Sequence, residues 1–359
     1  MRIGFRVDAA IHIGMGHLQR CLTLANYLTS VGHSCIFFCR NYGDDFYSDV
    51  VRCGHQLIII GNSNYVKNIY KNNWLSVSLR TDLNDFIAQI KNTPIDACVI
   101  DHYGIDEQWE KEVQKHFKKI IVIDDLADRK HSCDILIDQN FLPNYAERYN
   151  KLVPRYTKKL LGPQFVLLRP EFKMLRLDKA TKNDSSDLPK ILINFGGAGR
   201  FELLSKVVKA VNLNHKFTFT IITGKLHKHE FQQLLHLANG RNVEIHEFTQ
   251  NMARLMHESD FAVGACGSTV WERFCLGLNS ALVILADNQT AVLNFLHSKN
   301  LIDSLGWYHN LTLDALSDFF NNLITDDDKY ISRKLSIMKL IDGEGTRRVG
   351  EFILGELND

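Results

Sequence analysis

Short apolar runs alternate with helix-length amphipathic stretches, and the pattern occurs twice along the chain. In the first half the runs at 2–7, 34–39, 56–60, 96–101, 119–124 and 134–137 read as strands, with helical patterns between them such as 17–31 and 105–117. In the second half the strand runs are 190–195, 217–222, 243–247, 260–263 and 281–285, separated by helical stretches at 201–212, 228–238, 268–276 and 290–298. Regular alternation of β and α predicts parallel sheets covered by helices on both faces. Runs such as Ile120-Ile121-Val122-Ile123 have the continuous apolar character of strands buried on both sides.

The segment from Lys179 to Asp187 is the most polar in the chain and holds no large apolar residue. It reads as a linker. The predicted organisation is an N-terminal Rossmann-like domain over 1–178, a linker over 179–188, a second Rossmann-like domain over 189–342 and a C-terminal helix over 343–359. The terminal helical patterns, about 327–340 and 345–357, are compatible with packing on either domain. The predicted fold class is α/β, two doubly wound domains facing each other across a cleft. Ligands then sit at the carboxyl ends of the strands, and the linker is the expected hinge.

Composition narrows the partners. The 359 residues suit two domains at roughly 150 residues each. With 42 Lys+Arg against 41 Asp+Glu, the net charge of +1 gives no general attraction to nucleic acid or an anionic membrane. No apolar run approaches the roughly 20 residues of a bilayer helix. The chain opens directly on a strand, Met1 to Val7, with no charged and apolar leader before it, so a cytoplasmic protein is expected. The eight cysteines contain no CxxC pair and read as reduced thiols. The histidines and cysteines lack the spacing of a zinc site, and no metal or cofactor is expected. A monomer is the expected oligomeric state.

Three loops can carry chemistry. Gly14-Met15-Gly16-His17 joins the first strand to the first long helix. Its glycines let backbone approach a ligand, and the helix start offers N–H groups to anions. The third glycine of a dinucleotide fingerprint is replaced by Gln19, and the second strand ends near Arg40 rather than on an acidic residue for a ribose, which argues against a nicotinamide enzyme. A histidine in this place can simply cap or pack. It can also act, because a helix N-terminus disfavours imidazolium and a neutral imidazole is a competent general base. Asn194-Phe195-Gly196-Gly197-Ala198-Gly199 occupies the matching place in the second half, either as a phosphate loop or as a plain glycine-rich turn. Gly267-Ser268-Thr269 opens a helix that carries Glu272 within its first turns. That arrangement suits a diphosphate at the helix start and a ribose on the carboxylate. The alternative for Glu272 is a solvated helix face paired with Arg273. Downstream, Asn288-Gln289 follows a strand and suits a sugar.

The glycine loops and the order Ser268/Thr269, Glu272, Asn288-Gln289 resemble GT-B nucleotide-sugar proteins, and the C-terminal half is similar to that of the peptidoglycan GlcNAc transferase. The whole chain resembles the UDP-2,4-diacetamido-2,4,6-trideoxy-β-L-altropyranose hydrolases of pseudaminic acid biosynthesis, the PseG family. The segments that carry this are Arg6-Val7-Asp8 with Gly14 to Cys21, Asp101-His102-Tyr103, Ile123 to Arg129, Asp138-Gln139-Asn140, Leu161-Gly162-Pro163 with Leu167 to Phe172, Gly267 to Glu272, and Asp342 to Gly345. The resemblance implies release of UDP by water with inversion at the anomeric carbon. It implies His17 as the general base and Gly14, Gly16, Tyr103, Asn288 and Gln289 around the sugar. It places UDP on Gly196, Gly197, Gly267, Ser268, Thr269 and Glu272. One departure stands out. The family often has an acidic residue after the second glycine pair, whereas here Ala198-Gly199-Arg200 follows. The implied chemistry is self-consistent: UDP leaves without a strong general acid, so one base suffices where inverting glycosidases need two carboxylates. Two rival readings share the nucleotide-sugar site, a GT-B glycosyltransferase and a non-catalytic nucleotide-sugar binder.

Overall fold

The computed structural model describes the chain apart from residues 11–12, 44–45, 62–73, 92, 178–187, 198, 239–241, 326–327 and 359. It divides into two units, Met1–Leu168 with Glu344–Asp359, and Arg169–Gly343.

The first unit is built on β1 (Arg2–Val7), α1 (Gly16–Ser30), β2 (Ser34–Arg40), α2 (Ser48–Arg52), β3 (Gln56–Ile60), α3 (Leu79–Ile90), β4 (Ala97–Asp101), α4 (Glu107–Gln114), β5 (Lys119–Ile123), β6 (Ile135–Asp138) and β7 (Lys158–Leu161). Its described strands form one sheet in the order β3-β2-β1-β4-β5-β6-β7, parallel throughout. Strand residues alternate between two cores: Ile3, Phe5 and Val7 pack with α1 and Phe37 on one face, while Phe38, Ile100 and Val122 pack with Phe86 and Trp109 on the other. The strand order reverses between β1 and β4, so the crevice beyond Val7 and Asp101, which are paired in register, is the topological switch point.

The second unit repeats the plan with α5 (Pro170–Leu177), β8 (Lys190–Asn194), α6 (Phe201–Asn212), β9 (Thr218–Ile222), α7 (Lys228–Leu237), β10 (Val243–His246), α8 (Met252–Glu258), β11 (Phe261–Ala265), α9 (Thr269–Leu276), β12 (Ser280–Ile284), α10 (Thr290–Ser298), β13 (Asp303–Trp307), α11 (Leu313–Asn322) and α12 (Asp328–Leu340). Its sheet runs β10-β9-β8-β11-β12-β13, and its switch point lies between β8 and β11. The edge strands β7 and β13 do not stand out in the sequence. Lys158-Lys159-Leu160-Leu161 and Asp303 to Trp307 lack the continuous apolar run of a central strand because they line the sheet edge.

The two units divide between Leu168 and Arg169, before the expected boundary at 178. Helix α5 packs in the second unit, where Arg176 donates to the carbonyls of Cys275 and Met338 at 2.8 Å each. The last helix, α13 (Gly345–Asn358), returns to the first unit. Thr346 Oγ1 donates to Leu168 O at 2.8 Å, and a Cβ at Gly345 would stand 2.2 Å from Val166 O, so only glycine allows this approach. Except for Leu188, the expected linker over 179–188 lies outside the described residues. The eight cysteines are free thiols and only Cys53 is exposed. Among the described residues no helix is long and apolar enough to cross a membrane.

Candidate functional site

In the first unit, Gly14 has φ +85° and its N–H bonds Ala10 O at 2.7 Å, which turns the chain sharply before α1. The helix then begins at Gly16 and sets His17 in its first turn. His17 and Arg20, three residues apart, share one helix face, and both are buried, 7% and 6% exposed. That face meets the carboxyl end of β4. His17 Nδ1 lies 2.6 Å from Asp101 Oδ1. Arg20 grips the same carboxylate with a fork, Nε to Oδ2 and Nη2 to Oδ1, both at 2.6 Å. An ionised carboxylate only accepts hydrogen bonds, so the assigned tautomer has the proton on Nδ1 and a free lone pair on Nε2. Arg20 Nη2 also stands 3.1 Å from Nδ1; both donors share Oδ1 rather than bonding each other. Burial alone would raise the Asp101 carboxyl, but the charges of Arg20 and His17 overcome it and hold the group well below the usual carboxylate range.

Arg20 reaches further, from Nη1 to Asp125 Oδ2 at 2.8 Å, and Tyr103 OH donates to Asp125 Oδ1 at 2.7 Å. The Tyr103 ring stands edge-on to His17 with centroids 4.4 Å apart, and Trp74 flanks it at 5.2 Å. Burial, reinforced by the Asp125 charge, pushes the Tyr103 hydroxyl well above its ordinary value, so it stays a donor to Asp125. The structure thus brings two expected residues, His17 and Tyr103, into contact. It adds three that the sequence reading assigned no role: Asp101, Arg20 and Asp125. Their signals were present, an aspartate at a strand's carboxyl end and an arginine one turn after the histidine.

A second ionic network lies behind this one and fixes its backbone. Arg6 bonds Asp8 at 2.5 and 2.9 Å and Asp82 at 2.6 Å, all fully buried. Asp82 also accepts from Trp109 Nε1 at 3.1 Å and Arg40 Nη2 at 3.0 Å. His102 links this network to the Asp101–Gly104 segment: Nε2 is 3.1 Å from Asp8, and Nδ1 accepts the Gly104 N–H at 3.0 Å. Burial lowers the His102 value despite Asp8. On the other side Arg148 pairs with Asp138 and donates to the carbonyls of Asp125 and Leu126 at 3.1 and 3.0 Å, which holds the loop bearing Asp125.

In the second unit, Gly196 has φ +100° and its loop runs against Gly224. A Cβ on Gly224 would meet Gly196 O at 2.5 Å and Gly197 O at 2.7 Å, and Lys225 N donates to Gly197 O at 2.8 Å. Ala198 lies outside the described residues. Arg200, in the departing stretch, directs its guanidinium to Leu285 O at 3.3 Å and over the Tyr308 ring at 4.5 Å. Gly267 and Ser268 lead into α9, so the second glycine loop and this one flank the switch point between β8 and β11.

Glu272 is half-buried. Burial pushes its carboxyl above the ordinary value, opposed by Arg169 and Arg273; Arg169 Nη2 stands 3.7 Å away. The alternative of a solvated Glu272–Arg273 pair does not hold: Arg273 is 3% exposed and bonds backbone instead. Asn288 sits exposed in a 3-10 turn, Asp287–Gln289. Gln289 is half committed, since its Oε1 accepts from Leu285 N at 2.8 Å.

Two doubly wound parallel-sheet units, each with a glycine-led loop at its switch point, define the GT-B class of architecture. Within that class, residues 191–309 match the glycosyltransferase family 28 C-terminal domain. The chain is 26% identical over 299 residues to an uncharacterized protein of Methanocaldococcus jannaschii, aligning over 80% of this chain and only 56% of that one, so it spans about half that relative's length. It is 24% identical over 300 residues to the UDP-2,4-diacetamido-2,4,6-trideoxy-beta-L-altropyranose hydrolase of Campylobacter jejuni, across 83% of this chain and 97% of that enzyme. Among solved structures, Acinetobacter baumannii MurG aligns with TM-score 0.68 at 13% identity over 99% of both chains. Arabidopsis thaliana UGT89C1 complexed with UDP aligns with TM-score 0.72 at 11% identity, again over 99% of both.

Proposed function

We propose that the protein is a nucleotide-sugar enzyme, and specifically a hydrolase. It releases UDP from UDP-2,4-diacetamido-2,4,6-trideoxy-β-L-altropyranose, inverting the anomeric carbon and yielding the free sugar for pseudaminic acid biosynthesis. The observation that carries this reading is the His17–Asp101–Arg20 arrangement: one imidazole with Nδ1 bound to a buried carboxylate and Nε2 left to accept a proton. The 24% identity to the Campylobacter enzyme over nearly its whole length supports the hydrolytic outcome.

In the mechanism, water lies between Nε2 of His17 and the anomeric carbon. As the water oxygen bonds to that carbon, its proton passes to Nε2 and the carbon–oxygen bond to UDP breaks, the electron pair leaving with the diphosphate. The resulting imidazolium is stabilised by Asp101, which keeps its charge and does not take the proton. Tyr103 lies against His17 and lines the sugar. Because its proton is committed to Asp125, its oxygen offers only lone pairs to substrate N–H or O–H groups. UDP rests on Gly196, Gly197, Gly267, Ser268 and Thr269, with Glu272 accepting from the ribose, and Gly14, Gly16, Asn288 and Gln289 complete the sugar contacts. The N-terminus of α9 offsets the charge that develops on the diphosphate.

A second reading is favoured by the family 28 match over residues 191–309. The same base would then deprotonate an acceptor hydroxyl, and the enzyme would be a glycosyltransferase. NMR of the purified chain with the UDP-sugar, without and with candidate acceptor glycans, separates the two. Rapid formation of free sugar in the absence of acceptor supports the hydrolase. Turnover that needs an acceptor and gives a glycoside overturns it.

A further inference from the structure

Among the described residues, five arginines are buried: Arg6, Arg20, Arg40, Arg273 and Arg333. Four of them are ion-paired, with Asp8, Asp101, Asp82 and Asp303 respectively. Arg273 is not. All of its hydrogen bonds end on neutral oxygens: Nη2 donates to Ala265 O at 2.8 Å and to Thr269 Oγ1 at 3.1 Å, and Nε donates to Thr269 O at 3.1 Å. The neighbouring Glu272 charge stabilises it without forming an ion pair, and burying a cation that no carboxylate pairs directly is costly, so an anion at the loop would complete its neutralisation.

The surroundings are built to hold this charge in place. Nη1 lies over β11 at Gly264, where an added Cβ would stand 2.5 Å from Nη1 and 2.5 Å from Asn194 O. Only glycine leaves room for the guanidinium between strand and helix. The two carbonyls it bonds lie at either end of the Cys266-Gly267-Ser268 loop, Ala265 before it and Thr269 after it. The N–H groups of Gly267 and Ser268 carry no hydrogen bond among the described residues. The start of α9 adds its own partial positive charge at the same point. Burial lowers Arg273 to about 10, which leaves it charged at neutral pH.

We infer that Arg273 is a positioning residue for a bound diphosphate, shaping the Cys266–Thr269 loop and supplying it with a buried positive charge that no carboxylate pairs directly. This deepens the nucleotide-sugar reading and rests on it. Glu272, its neighbour on α9, recognises ribose on that reading; Arg273 acts through the loop on the anion alone. The two roles separate experimentally, because uridine has the ribose and lacks the diphosphate.

The test is calorimetric titration of the full chain with UDP, uridine and inorganic pyrophosphate, in wild type, Arg273→Met and Arg273→Lys. Arg273→Met is expected to weaken UDP and pyrophosphate at least about tenfold, the scale of a lost charge-assisted interaction, with uridine unchanged within about twofold. Arg273→Lys keeps the charge and loses the fork, so its UDP affinity falls between the two. Equal losses for UDP and uridine, or no loss for UDP, overturn the inference. If circular dichroism shows Arg273→Met unfolded, the UDP-to-uridine affinity ratio of Arg273→Lys decides: an unchanged ratio overturns the proposal. Wild type that binds neither UDP nor uridine overturns the nucleotide-sugar reading itself.

Discussion

Replacing Asp101 by Asn removes one charge from the centre of the network while keeping its shape. In the native site Oδ1 accepts from both His17 Nδ1 and Arg20 Nη2, and Oδ2 accepts from Arg20 Nε, each at 2.6 Å. An asparagine has one acceptor and one donor end. With its carbonyl toward His17, its NH₂ faces Arg20 Nε and two donors collide. With its NH₂ toward His17, Nδ1 must accept, the imidazole proton moves to Nε2, and the base is gone. Either orientation also removes the carboxylate that stabilises the imidazolium. Turnover is expected to fall by about 10²–10⁴-fold, or ~2.7–5.4 kcal/mol at about 1.36 kcal/mol per decade. Arg20 keeps Asp125 as a partner at 2.8 Å, so the stability cost stays near that of one lost charged hydrogen bond, about 1–3 kcal/mol. At roughly 2–4 °C per kcal/mol for a unit of this size, Tm drops by about 2–12 °C. The assay is UDP release under saturating UDP-sugar, with UDP binding followed in parallel by calorimetry. A folded Asp101→Asn protein that turns over within about threefold of wild type would refute the reasoning, because either orientation of the asparagine removes the carboxylate that stabilises the imidazolium and one of them also removes the base.

Glu272→Ala is expected to weaken UDP binding by about 1–3 kcal/mol and to weaken uridine equally, since on the proposed reading the lost contact is to ribose; calorimetry measures both. Gly264→Ala puts a Cβ 2.5 Å from Asn194 O and from the Arg273 guanidinium, so the second unit should lose about 1–3 kcal/mol in a denaturant titration. Acid should destabilise the first unit. Burial would raise Asp8 and Asp101, but Arg6 and Arg20 lead the charges that hold both below their ordinary 3.8. The stability they contribute is fully present above that value and is lost as pH falls through the depressed folded values. Urea titrations between pH 6 and 2 check this, with Asp101→Asn showing a shallower acid decline than wild type.

The central strands were legible in the sequence because burial on both faces demands continuous apolar runs, as at Ile120 to Ile123. β7 and β13 were not, because an edge strand tolerates lysine and aspartate. Helix α5 was not picked out in the sequence, where Pro170–Leu177 simply fell within the stretch assigned to the first domain; a single short helix carries no sign of which sheet it packs with. His17 could be found from two glycines before a helix. Its partner Asp101 lies 84 residues away, and only the parallel pairing of β1 with β4 makes the two neighbours. Arg273 was not singled out in the sequence except as the partner in the alternative reading of Glu272; successive helix residues are turned by about 100°, and the Arg273 guanidinium goes under the loop to Ala265 O and Thr269. The glycine that makes room for it, Gly264, gives no sign of that role in the sequence.

The reading of His17 as the base that directs water to the anomeric carbon is tested most directly by turnover in ¹⁸O-labelled water, with wild type and His17→Asn compared by mass spectrometry. The account predicts that wild type places the label on the sugar and none on UDP, since attack at carbon expels UDP intact. It predicts that His17→Asn is slower by about 10²–10⁴-fold with UDP affinity unchanged. Label recovered in UDP would mean attack at phosphorus. That result, or wild-type turnover in His17→Asn, would contradict the role assigned to His17.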